Sequence, residues 1–316
     1  MRLSVWQWLC ICIVLLMAVS LFGSVKDIKN RDMKISNVGW EPVEHALGKN
    51  GTMLPGGVFM VSLPRNDIDL MIGDVQLKPA FGLDSWVAFM DMGDGAMMMG
   101  DLVLTGDEIW SVQKRIQQEG IDITAIHNTL IGETPNVFDL HIGGQGDPVV
   151  MAKKVHDALS LTNMSYNSSK ETPEVSSSID HSRLDRVMGY NGILEDGIYK
   201  YDVPRAEKII DMGMEIPPTM DVATMIKFQP LGGERAAITG DFILVSTEVN
   251  PVIRALNDND IKVVALHSHM LTEEPRMFFM HFWATGNAYE LAQGIHEAIS
   301  RTNSTKPNIP ITPRTD

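Results

Sequence analysis

A chain that repeats itself is constrained to fold as a repeat, and this one does so at a constant offset of 140 residues. Gly100-Asp101 returns as Gly240-Asp241, Pro64-Arg65 as Pro204-Arg205, and Thr162-Asn163 as Thr302-Asn303. Between these anchors Gly73, Glu108, His127, Glu133, Pro135, His141 and His156 recur as Gly213, Glu248, His267, Glu273, Pro275, His281 and His296. One offset held over about a hundred residues is duplication, so two copies of one unit are expected.

The units are read at 57–163 and 198–303. Residues 25–56 read as a spacer, 164–197 as a Ser-, Glu- and Pro-rich linker, and 304–316 as a flexible tail. Within unit 1, GVFMVSL, WVAFM, AMMMGDLVLT, ITAIHNTLI and NVFDLHI carry strand signals. DEIWSVQKRIQQEG and DPVVMAKKVHDALS have helical periodicity, the second with Asp147 as its N-cap. Unit 2 repeats the order, with Pro251 assigned to the first turn of its first helix. The predicted class is α+β: two tandem units, each a mostly antiparallel sheet with two helices on one face, plus an N-terminal hydrophobic helix.

That N-terminal helix is read from the 19 uncharged residues Val5–Gly23, which follow Arg2 and approach the length that spans a bilayer. Residues 1–24 therefore read as a signal anchor or signal peptide. The membrane is the expected partner through this helix, and the body is expected outside the cytoplasm. Sequons at Asn50, Asn163, Asn167 and Asn303 agree with export. Cys10 and Cys12, the only cysteines, lie in this stretch, so the body has neither a disulfide framework nor a thiol nucleophile. With 40 acidic residues against 26 basic ones, a net charge of −14 argues against nucleic acid as a partner.

Strand alternation gathers the chemistry on one sheet face. In NVFDLHI, Asp139 and His141 share a side opposite Phe138, Leu140 and Ile142, and in ITAIHNTLI the polar side holds His127 and Thr129. Unit 2 has the richer set, with His267 and His269 two apart on one strand and His281 on its hairpin partner. These three are the candidate ligands of a divalent metal such as zinc, and His127 and His141 form a weaker set. Glu273 and Glu274 in the intervening turn are candidate general bases. Convergence depends on register: His281 opposite His267 brings the rings together, whereas Leu266 or Ser268 opposite it disperses them. The run Met97–Met99 reads as adaptable core filler rather than a soft-metal site.

The runs GDLVLTGDE, IGETP and HIGGQGDP in unit 1, with GDFILVSTE and ALHSHMLTEEP in unit 2, resemble the LppY/LpqO lipoprotein family, a domain family of unknown function. The resemblance covers both units and implies a His-Asn-His pattern, carried onto His267, Ser268 and His269 and onto His127, Asn128 and Thr129. Thr129 departs from it, so unit 2 is expected to hold any working site with unit 1 as scaffold or weaker copy. No cysteine stands where a lipoprotein would be lipidated.

Three functions remain open. One is a cell-envelope protein that binds a metal, small molecule or envelope ligand on the histidine face. The second is a metal-dependent hydrolase using His267, His269 and His281. The third is a structural or assembly protein in which the histidine faces pack units or chains together. No G-x-S-x-G, phosphate loop or dinucleotide fingerprint is present.

Overall fold

The computed structural model describes residues 39–164 and 176–306. Unit 1 runs α1 (Glu41–Leu47), β1 (Thr52–Leu54), β2 (Val58–Pro64), β3 (Met71–Ile72), β4 (Val75–Gln76), α2 (Pro79–Gly82), β5 (Asp84–Asp91), β6 (Ala96–Thr105), α3 (Ile109–Gln118), β7 (Asp122–Asn128), β8 (Glu133–Thr134), β9 (Val137–Gly146) and α4 (Pro148–Leu159). Unit 2 repeats it as α5 (His181–Met188), β10 (Ile193–Glu195), β11 (Ile198–Pro204), β12 (Ile209–Asp211), β13 (Met214–Ile216), β14 (Ala223–Gly232), β15 (Arg235–Leu244), α6 (Ser246–Asn257), β16 (Lys262–His267), β17 (Phe278–Asn287) and α7 (Ala288–Ile299). The mixed α+β class and the tandem repeat are as predicted, with seven helices among the described residues.

Each unit is built on an antiparallel six-stranded sheet, ordered β1-β2-β5-β6-β9-β7 in one and β10-β11-β14-β15-β17-β16 in the other. The hydrophobic face of the first sheet packs against α1, α3 and α4 through Val61, Phe89, Leu102, Val112 and Val155. The second packs likewise against α5, α6 and α7. Mixed apolar clusters then join the two inner faces, one including Met97, Met99, Met270 and Phe279, the other Phe81, Leu130, Ala237 and Trp283. The order of layers is helix, sheet, sheet, helix.

Three helices rather than two cover each sheet. The additional ones, α1 and α5, lie in residues expected to be spacer and linker, and pack on α4 and α7. Asp180 caps α5 by accepting from the Arg183 N–H at 3.2 Å, and left-handed Gly48 and Gly189 end α1 and α5. Asp147 caps α4 as predicted, accepting from Val149 and Val150 N–H at 2.9 Å. Pro251 lies inside α6, beyond its first turn.

Residues 5–23 lie outside the described residues, and no described helix is long and apolar enough to cross a membrane. The expected partnership with the membrane through an N-terminal helix is corrected accordingly.

The recurring Pro-Arg, Glu and Thr-Asn positions are one device used twice. Arg65, 1% exposed, places Nη1 and Nη2 on the Glu108 carboxylate at 2.8 and 2.9 Å, and Nε and Nη2 on Asp67 at 2.8 and 2.7 Å. Its Nη1 also donates to the Val103 carbonyl, while Glu108 accepts from the backbone of Thr105 and Asn163. Arg205 repeats this with Glu207, Glu248 and the Ile243 carbonyl, and Glu248 accepts from Val245 and Asn303. The clasp ties a strand end, the start of a helix and the end of the unit to one buried guanidinium. Arg65→Ala leaves the Glu108 carboxylate buried without its cation and should cost roughly 3–5 kcal/mol in urea unfolding. Arg65→Lys should recover little of that, because one ammonium cannot replace the guanidinium fork. A loss below about 1 kcal/mol for the alanine variant would contradict this account of the clasp.

Candidate metal centre

The histidines occupy the inner faces, where the sheets meet. In unit 1 the register sets His127 opposite Asp139 and Ala125 opposite His141 across β7 and β9, and Asp101 opposite His141 across β6 and β9. In unit 2 Asp241 on β15 lies opposite His281 on β17. Across β16 and β17, Ala265 faces His281 and His267 faces Phe279. His281 is therefore offset by two residues from the pairing that was expected to bring it to His267, and a two-residue offset leaves both on the same face. Gly100 and Gly240 precede the two aspartates because a side chain there would press on the Trp86 carbonyl and collide with that of Met225.

The two sets form one cluster. His127 stacks on His267 with ring centroids 3.6 Å apart, and His141 on His269 at 3.8 Å. Within each unit, nitrogen faces nitrogen: His127 Nε2 lies 3.0 Å from His141 Nε2, and His267 Nε2 lies 2.9 Å from His269 Nε2. His281 completes the group, its ring 4.8 Å from His267 and 5.0 Å from His127. Ligand-capable atoms of His127, His267, His269 and His281 all lie within 4.8 Å of one another, and those of His141, Asp221 and His269 form a second such set.

Orientation comes from outside the cluster. His281 Nδ1 donates to the Thr129 carbonyl at 2.8 Å, and His127 Nδ1 donates to the Asn128 carbonyl at 3.1 Å, which leaves each Nε2 inward. Asp139 lies 3.6 Å from His127 Nδ1, and Asp241 lies 3.6 Å from Nε2 of both His269 and His281. Asp221 approaches His269 Nδ1 at 3.2 Å from a left-handed turn residue with φ 59°. Several buried polar atoms have no hydrogen-bond partner, among them Nδ1 of His267 and His269 and Oδ1 of Asp101 and Asp241.

Burial sets the protonation. It drives His267 down to about 2, helped by the neighbouring His127 and His281, and lowers His127, His141 and His269 for the same reason. Burial also opposes the charged form of His281, but the Asp241 carboxylate outweighs it and lifts that ring to about 9. Asp221 rises to about 8 through burial and the nearby Asp241 charge. His127, His141, His267 and His269 are thereby neutral donors at neutral pH, whereas His281 holds a proton that a bound cation would have to displace.

Of the residues singled out from sequence, His127, His267, His269 and His281 come together, and His141 joins through His269. The site is shared between the units rather than confined to unit 2. Asp101, Asp139, Asp221 and Asp241 are further members that sequence reasoning did not select as ligands. Their signal lay in the repeated Gly-Asp pair and in Asp139 sharing a side with His141. Glu273 and Glu274 point to other work: Glu273 is buried, accepting from Met277 N–H at 3.0 Å and from Arg276, while Glu274 is exposed and pairs through its backbone with Ile210.

Over residues 41–161 and 182–301 the chain matches the family described as Domain of Unknown Function (DUF1259), and it belongs to that family, in two tandem copies. No curated protein matches. Among solved structures, it is similar at 11% identity to the trimeric bacterial microcompartment shell protein PduB, with 82% of this chain and 97% of that chain covered and a TM-score of 0.22. It is similar at 9% identity to EtuB from Clostridium kluyveri, with 84% and 98% covered and a TM-score of 0.20. Likenesses this distant say nothing of function.

The turn glutamate of unit 1 lacks the cation that stands beside its counterpart in unit 2. Glu273 has Arg276 beside it, but the counterpart of Arg276 in unit 1 is Asn136. Burial accordingly lifts Glu133 from 4.5 to about 7 despite its backbone hydrogen bonds. Because the folded chain holds this proton more tightly than the unfolded one, the associated stability is complete below about pH 4.5 and is lost as pH rises through about 7. The loss is on the order of 3 kcal/mol. Glu133→Gln should remove this decline when urea unfolding is compared at pH 5 and pH 8. Equal pH dependence in the two proteins would contradict the assignment.

Proposed function

We propose that this two-copy member of the DUF1259 family binds a divalent transition metal at the seam between its units, with His127, His267, His269 and His281 as ligands. The observation that carries the reading is the set of four histidines in the seam, three on strands β7, β16 and β17 and His269 just past the end of β16, whose donor atoms lie within 4.8 Å of one another. In a tetrahedral zinc site with bonds of about 2.0–2.1 Å, neighbouring donors are roughly 3.3 Å apart, a contraction within reach of side-chain rotation. The inward Nε2 atoms of His127 and His281, each fixed by a backbone carbonyl on Nδ1, match the outer shell that orients metal-bound imidazoles. An all-imidazole set suits zinc, copper, nickel or iron rather than magnesium or calcium.

Burial favours a structural over a hydrolytic role for the ion. The side chains of His127, His269 and His281 are 7%, 5% and 12% exposed. Two open depressions of the surface, one bordered by Arg205 and Glu215 and the other by Ile131 and Trp283, are lined by none of these histidines. The carboxylates proposed as general bases, Glu273 and Glu274, are engaged elsewhere. Kinship with the LppY/LpqO lipoproteins, read from the His-x-His pattern, belongs to this same proposal.

A second reading is favoured by the stacking of His127 on His267: the imidazoles pack the units together without an ion. Elemental analysis of the full chain, purified without a nickel column, separates the two. The metal reading expects at least one equivalent of a first-row divalent metal per chain. It also expects a fall in Tm of about 5 °C or more on chelation, restored by re-addition. His267→Ala combined with His281→Ala should lose the metal while remaining folded. A metal-free chain whose Tm ignores added metal would sink the reading and leave packing.

A further inference from the structure

The two units differ at two positions on the inner face beside the histidines that bear on metal binding. His269 stands where unit 1 has Thr129, and Asp221 where unit 1 has Phe81. Both departures converge on one place, and there they meet His141 of unit 1: donor atoms of His141, Asp221 and His269 lie within 4.8 Å of one another. His141 and His269 have side chains only 5% exposed, and His269 Nδ1 has no hydrogen-bond partner although Asp221 Oδ2 is 3.2 Å away. Oδ1 of Asp101 and of Asp241, buried beside the same rings, are also without partners.

Resting on the metal reading above, we propose that the seam takes a second divalent cation, held by His141, Asp221 and His269, with His269, which belongs to both donor sets, passing to it and leaving the first ion on His127, His267 and His281. This division gives each ion three protein ligands of its own. Asp101, Asp139, Asp221 and Asp241 surround the cluster, and a cation among them lowers the cost of burying carboxylates. The ligand class is a hard-to-borderline divalent ion such as zinc, manganese or iron, because this position mixes imidazole with carboxylate.

The test is titration of the chelator-stripped full chain with Zn(II) and with Co(II), counting bound equivalents by equilibrium dialysis and following the Co(II) visible bands. Two equivalents are expected for the parent. Asp221→Asn suits the left-handed backbone at this position and should bind one, with the Co(II) bands of the first position retained. His141→Gln is the second variant and should also bind one, so a folding failure in either leaves the other to decide. A parent that binds one equivalent, or variants that still bind two, would overturn the second position and leave the first standing. A parent that binds none overturns both, and the count thus distinguishes the two failures.

Discussion

Everything in this molecule follows from a sheet face that carries imidazoles and carboxylates and yet is turned toward another sheet instead of toward water. An antiparallel sheet with helices on one face can leave its other face solvated. Here the second face is closed by the second copy, so each charge on it must find a match inside the protein. The apolar clusters on either side of the histidines, with Met97, Met99 and Phe279 in one and Leu130 and Trp283 in the other, supply the burial that holds the faces together. The histidines between them meet ring on ring.

Duplication explains how such a centre arises with few residues. Each unit contributes a His pair and an Asp from the same strands, so two related surfaces already bring counterpart rings together. Specialisation then needs only a few exchanges, Thr129 against His269 and Phe81 against Asp221. The Arg65 and Arg205 clasps are retained in both copies because they do a different job: each closes its own unit by tying the end of β2 or β11, the start of α3 or α6 and the last residues of the unit to one buried cation.

Much of this was legible in the residues. The offset of 140, the paired strands and the polar side of ITAIHNTLI and NVFDLHI all come from local pattern, which is set by side-chain periodicity. What local pattern does not carry is the order of strands in a sheet. That β6 lies beside β9, and thus Asp101 beside His141, is a tertiary fact. The short helices α1 and α5 were hidden for another reason. EPVEHAL and HSRLDRVM are seven and eight residues long, too short for a decisive periodicity, and sit in polar surroundings that resemble linker. Contact between the histidine faces was one of three readings the sequence left open and could not be chosen from it, since a face that will be covered and a face that will be solvated can have the same alternation.

The central claim is that imidazole nitrogens from both copies converge on a cation in the seam. X-ray absorption at the K-edge of the metal carried by the full-length chain tests it most directly. The account predicts a first shell of nitrogen and oxygen only, with the outer-shell scattering of several imidazoles, lost in His127→Ala with His267→Ala. A shell containing sulfur, in a chain with 21 methionines, or an imidazole signal unchanged in that variant would place the metal elsewhere and contradict the account.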